Sequence, residues 1–141
     1  MAGEDLNKAA ERLRAAGLRV TAPRMAVLAV LQASPGHWDV ETIRYKAQQI
    51  TGSLSTQAAY DVLKALTEAG LTRCLQVSGQ PARYENRVGD NHHHFVCRVC
   101  GKIVDVNCAV GVRPCLEATI GPEYEVDEAE VTFWGRCPEC R

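Results

Sequence analysis

The sequence predicts an α+β fold in two small domains, and three observations predict it. Apolar residues recur at helical spacing in four segments before residue 70 and then give way to a two-residue alternation. Two Cys-x-x-Cys pairs, Cys97/Cys100 and Cys137/Cys140, enclose a second stretch of mixed strand and helix pattern. A chain of 141 residues holds one ordinary domain or two small ones, and the change of pattern divides it into 1–86 and 87–141.

The helices are expected at about 4–16, 23–34, 39–51 and 55–69. Pro23 sits just inside the second, Asp39 and Ser55 are good N-caps, and Gly17, Gly52 and Gly70 stand where helices end. In the fourth helix Ala59, Val62, Leu63 and Leu66 share one face, while Gln57, Tyr60, Asp61, Lys64 and Glu68 share the other. After Gly70, LTRCLQVSGQPARYEN alternates on either side of Ser78-Gly79-Gln80-Pro81, the pattern of a hairpin. A helix-turn-helix followed by a hairpin is a winged helix, a DNA-reading form. Gln57 and Lys64 are candidates for base edges or phosphates, Tyr60 for stacking or a thymine methyl, and Arg14, Arg19 and Arg24 for the DNA backbone or minor groove. The competing reading is an ordinary amphipathic domain with a solvated polar face, and Asp61 sits awkwardly on a face meant for phosphates. In the second domain, strands near 94–106 and 124–136 flank a helix near 109–120. A strand edge of that kind can pair across a two-fold axis.

Composition bounds the function. With 46% hydrophobic and 23% charged residues the chain buries a core and is neither a disordered tail nor a collagenous repeat. A net charge of −1 argues against a protein that coats nucleic acid indiscriminately. The charge is uneven, however: residues 1–86 hold ten Lys/Arg and eight Asp/Glu, residues 87–141 six and nine. The longest apolar run, Ala26 to Leu31, is far short of the ~20 residues that cross a bilayer. The N-terminus is charged and has no apolar signal core. The expected location is the cytoplasm, without membrane contact.

Seven cysteines in such a chain point to metal ligation or redox chemistry rather than a disulfide framework. The two Cys-x-x-Cys pairs complete a tetrahedral Cys₄ shell for Zn²⁺, with Gly101 permitting the tight turn after the first. Four protein ligands leave no open position, so the expected zinc is structural. A thioredoxin-like redox motif normally has one such pair before a helix in a βαβ unit, and here there are two in strand-like surroundings. Cys108 and Cys115 lie outside the four; they are either possible redox thiols, if their Cα atoms come within about 7 Å, or packed cysteines. Cys74 stands alone and is expected to pack. On a strand, His92 and His94 face one side and His93 the other, so two imidazoles meet at one point, a second candidate metal site.

AAGLRVTAPR at 15–24, STQAAYDVLKALTEAGL at 55–71 and NHHHFVCRVCG at 91–101 resemble, in order and spacing, the ferric uptake regulator family. The resemblance implies an N-terminal winged helix, a C-terminal α/β dimerisation domain and a homodimeric repressor that binds AT-rich palindromic operators when metal-loaded. It also implies a regulatory site of His37, Glu85, His92, His94 and Asp105. This mixed nitrogen and oxygen shell suits Fe²⁺, the first expectation, or Mn²⁺ or Zn²⁺. Two departures stand out: Tyr60-Asp61 where the family commonly has Tyr-Arg, and Ala129 where many relatives carry a histidine of a further site. GDNHHH together with Cys108 and Cys115 is similar to the actinobacterial branch often encoded beside catalase-peroxidase genes. Asp105 is similar to the peroxide-sensing branch, in which peroxide acting on bound Fe²⁺ oxidises ligand histidines; His37 and His92 would match. The function expected is therefore control of oxidative-stress genes, with plain iron- or zinc-responsive uptake regulation as the alternative. Readings of another class fare worse. A zinc enzyme built on His92, His94 and Glu85 would need an open zinc position and a cleft-forming core that the pattern does not supply, and a zinc adaptor for protein partners would not bind palindromic DNA.

Overall fold

The second, third and fourth helices of the first unit begin where the sequence supplies a cap or a proline. Helix α1 is Ala2–Ala15, with Glu4 and Asp5 in its first turn and Arg12 and Arg14 in its last, the order that suits the helix dipole. Helix α2, Ala22–Ala33, starts behind Thr21, whose side chain accepts from the Arg24 backbone N–H. Asp39 caps α3, Val40–Thr51, by accepting from the Thr42 N–H at 2.8 Å, and Gly52 ends it at φ +87°. Ser55 caps α4, Thr56–Glu68, through the Ala58 N–H. Leu13, Leu28, Leu31, Ile43, Leu63 and Leu66 are fully buried where the four helices meet.

The computed structural model describes residues 2–76, 79–86, 92–107, 118–127 and 129–141, and the chain forms two compact units, Met1–Val88 and Gly89–Arg141. The first unit closes with strands β1 (Trp38–Asp39), β2 (Thr72–Leu75) and β3 (Arg83–Asn86), antiparallel in the order β1-β3-β2. The expected hairpin is β2 and β3. The third strand was not expected, because two residues are too short to show a period. Trp38, Tyr84 and Cys74 lie side by side in register, and Trp38 and Tyr84 pack on the helical core. Arg73 and Glu85, the next pair along, face the opposite side.

Arg12 joins helix to sheet. Its guanidinium donates to Gln32 Oε1 at 3.0 Å, to the Leu71 carbonyl at 3.2 Å and to Asn86 Oδ1 at 2.6 Å. Arg12→Ala is expected to lower the unfolding free energy by about 2–3 kcal/mol, because it leaves part-buried acceptors without a charged donor. Urea unfolding of the full chain measures this.

In the second unit β4 (His92–Cys97) and β5 (Ile103–Asn107) are antiparallel, and β6 (Thr132–Gly135) lies parallel to β4, giving the order β5-β4-β6. The single strand expected at 94–106 is thus a hairpin turned by Cys97–Cys100. The strand expected at 124–136 pairs only over Thr132–Gly135. Exposed Glu125, Asp127 and Glu130 crowd like charge along the stretch before it and disfavour pairing there. The helix expected at 109–120, with Cys108 and Cys115, falls largely on 108–117, outside the described residues; 118–120 are not helical. The sheet leaves Val104, Phe133 and Trp134 41%, 49% and 43% exposed, apolar surface of the kind that a partner covers. No described helix is long and apolar enough to cross a membrane.

Candidate metal centres and DNA-reading face

The thiolate cluster is built by one turn and one strand end. Cys97 closes β4, the Gly101 N–H returns to the Cys97 carbonyl at 3.0 Å, and Gly101 takes φ +78°, folding Cys100 back towards Cys97. Cys137 lies two residues beyond the end of β6, and a 3₁₀ turn, Pro138–Cys140, brings Cys140 round. The four sulfurs lie within 4.8 Å of one another, with Cys100 and Cys137 Sγ at 3.7 Å. A zinc tetrahedron with ~2.3 Å bonds has S···S edges of about 3.8 Å, so these residues fit the ion. Backbone N–H groups of Cys100 and Cys137 draw the Cys97 thiol down to about 6, towards its ligand form. The arrangement offers no open position and hence no catalysis.

The remaining candidate ligands form one pair in each unit. In the first, His37, just ahead of β1, places Nε2 2.9 Å from Glu85 Oε2 on β3, both side chains buried. In the second, His94 is fully buried and stands directly opposite Asp105 across β4 and β5, its Nε2 3.5 Å from Oδ1. His93 points the other way, where its Nδ1 accepts the Val131 N–H at 3.2 Å. His92 lies on β4 opposite Asn107, with its side chain outside the described residues. Sequence reasoning missed Arg73, which is 6% exposed and places Nε 4.0 Å from Glu85 Oε1. A signal was there: a hairpin centred on Gly79 pairs residue 73 with residue 85.

On α4 the division of faces is as expected: Ala59, Val62, Leu63 and Leu66 are buried, while Gln57, Tyr60, Asp61 and Lys64 are exposed. Asp61 has a local task, since the Gln57 amide donates to its carboxylate at 3.0 Å. Arg14 and Arg19 are exposed, and Arg24 donates to the Arg19 carbonyl at 2.9 Å, stiffening the turn before α2. Cys74 is half-buried against Tyr84, whose phenol burial pushes up to about 12, so this thiol packs as expected.

A winged helix joined to a small sheet unit with a thiolate zinc cluster and histidine–carboxylate pairs defines a class, that of metal-responsive DNA-binding regulators. The sequence model of the Ferric uptake regulator family matches residues 15–113. The chain is 58% identical to the transcriptional regulator FurA of Mycobacterium tuberculosis over 131 residues, 93% of this chain and 88% of that protein. It is 29% identical to the peroxide operon regulator of Bacillus subtilis over 145 residues, 99% and 96% of the two. Among solved structures, the ferric uptake regulator of Pseudomonas aeruginosa with manganese superposes with a TM-score of 0.70 at 26% identity, covering 92% of this chain and 98% of that one. The chain belongs to the ferric uptake regulator family. It is a metal-dependent transcriptional regulator and not an enzyme, and regulators of this family act as DNA-binding dimers. Its cofactors are a zinc ion for the thiolate cluster and a regulatory divalent ion.

Proposed function

We propose that the protein represses oxidative-stress genes, catalase and peroxidase genes among them, with Fe²⁺ as the sensing metal at His37, Glu85, His92, His94 and Asp105. Residues 1–86 read an AT-rich palindromic operator and residues 87–141 dimerise and complete the site. The observation that carries this reading is that the described ligands come as two incomplete pairs, His37 with Glu85 and His94 with Asp105, one on each unit. Each pair offers only one nitrogen and one carboxylate, too few donors for a divalent ion by itself. Ligands drawn from both pairs tie the reading unit to the dimer unit, which favours the arrangement that spaces two α4 helices about one DNA turn apart. Fe²⁺, when bound, would supply the reaction with peroxide in which one peroxide oxygen is added to a ligand imidazole and the other leaves as water. The residues themselves do the rest: they hold the ion reversibly, and His37 and His92 are the rings whose oxidation opens the site. Asp105 in place of a glutamate supports the peroxide reading. Oxidation of Cys108 and Cys115 is the competing redox route.

The test is binding to the DNA upstream of the protein's own gene, with Fe²⁺ or Mn²⁺ added anaerobically and then a peroxide pulse. Release from the Fe²⁺ form only, with oxidised His37 or His92 by mass spectrometry, is the expected result. If neither form responds and chelation alone frees the DNA, the protein is a plain iron- or zinc-responsive uptake regulator; thiol oxidation without histidine oxidation would move the sensor to Cys108 and Cys115.

On the reading face, Gln57, Tyr60 and Lys64 meet bases or phosphates, with Arg14, Arg19 and Arg24 on the backbone or minor groove. Lys64→Ala is expected to weaken binding to all sequences alike and to reduce the slope of log K against log salt by about 1. Fluorescence anisotropy at several salt concentrations reads this directly.

A further inference from the structure

We propose that Arg73 is a counter-cation built into the regulatory site, which competes with the divalent ion for Glu85 and so sets the metal concentration at which the regulator responds. The inference rests on the reading of Glu85 and His37 as ligands and concerns what tunes them.

Arg73 and Glu85 are partners across β2 and β3, on the face of the sheet opposite Trp38 and Tyr84. They are 6% and 5% exposed. A guanidinium does not lose its proton at any physiological pH, so the charge beside Glu85 is permanent. A buried carboxylate is costly without a partner. The two oxygens of Glu85 divide the work: Oε2 meets His37 Nε2 at 2.9 Å, and Oε1 is 4.0 Å from Arg73 Nε. Arg73 therefore compensates Glu85 when no ion is present and lets the first unit keep its fold in the metal-free state. The same charge would oppose an arriving cation, because two positive groups would then share one carboxylate and repel. Arg73 touches no ion in this scheme; it is a positioning and tuning residue acting through Glu85.

The test uses the full-length dimer with its zinc retained, Mn²⁺ as the probe, free Mn²⁺ read by electron paramagnetic resonance, and thermal midpoints with and without Mn²⁺. In Arg73→Met the metal-free midpoint falls, Mn²⁺ affinity tightens at least about tenfold, and the rise in midpoint on adding Mn²⁺ exceeds that of the wild type. Arg73→Lys, which keeps the charge, stays near wild-type affinity. Arg73→Met/Glu85→Gln regains metal-free stability and loses the gain in affinity. Should Arg73→Met be unstable, Arg73→Gln makes the same comparison. Unchanged or weaker Mn²⁺ affinity, with both midpoints falling in parallel, would reduce Arg73 to a structural residue and overturn the proposal. If Glu85→Gln alone leaves affinity untouched, the ligand reading fails and takes the proposal with it. If Glu85→Gln weakens binding but Arg73→Met does not tighten it, only the role of Arg73 falls.

Discussion

Cys137→Ser is expected to abolish zinc retention and unfold the second unit. A neutral hydroxyl is a poor substitute for a thiolate, and the loss goes beyond one ligand. Cys137 is 2% exposed and its backbone N–H reaches Cys97 Sγ at 3.4 Å, so the residue holds the end of β6 against the end of β4. Little else does that work: the buried apolar side chains described in this unit are Val96, Cys97 and Cys137. Among the described residues this apolar core is small beside the entropy of ordering three strands, whereas a structural zinc site contributes on the order of 10 kcal/mol at neutral pH. Elemental analysis should show stoichiometric zinc falling to trace, and sedimentation should show the dimer lost, because the exposed apolar row of Val104 and Phe133 exists only while the sheet does. A Cys137→Ser protein that keeps its zinc and its dimer would mean that the sheet stands without the cluster.

With His94 a ligand, as proposed above, His94→Ala carries the second large effect, the loss of the regulatory metal. Changes to groups that merely orient a ligand cost about 10–100-fold in affinity, so removal of a ligating imidazole should cost at least about 100-fold. The Mn²⁺-dependent component of operator binding should vanish at concentrations that saturate the wild type, while zinc content is unchanged. His94 is fully buried, so its truncation also leaves a cavity. His93→Ala separates the two effects: it gives up a buried ring and its bond from Val131 but sits on the other face of β4. It should lower thermal stability and leave Mn²⁺ affinity within a few-fold of wild type. Equal losses of affinity in both variants would show that His94 supports the sheet rather than the ion.

Much of this was legible in the sequence wherever local chemistry decides the structure. The four helices lie within two residues of their expected bounds because Asp39, Ser55, Pro23 and Gly52 act on their own neighbours. The faces of α4 and the opposed directions of His93 and His94 follow from periods of 3.6 and 2. What the sequence hid is long-range. Arg12 reads as one more charge in a basic last turn, and only the folded chain brings Leu71 and Asn86 to it. Arg73 reads as a solvated hairpin residue until the register sets it against Glu85 in a buried place. Strand β1 has no periodicity to detect, and 124–131 carries an alternation that its crowded acids override.

The segment from His37 to Asp39 commits three successive residues to three unrelated tasks: a pairing with Glu85, a strand partner for Tyr84 held by the Trp38 indole bond to the Ser34 carbonyl, and the cap of α3. Such a stretch has no slack in length. One inserted or deleted residue there would turn the imidazole and the indole to each other's sides of the sheet and pull the aspartate off its helix. Tags, labels and length variation are therefore expected to be rejected between Gly36 and Val40.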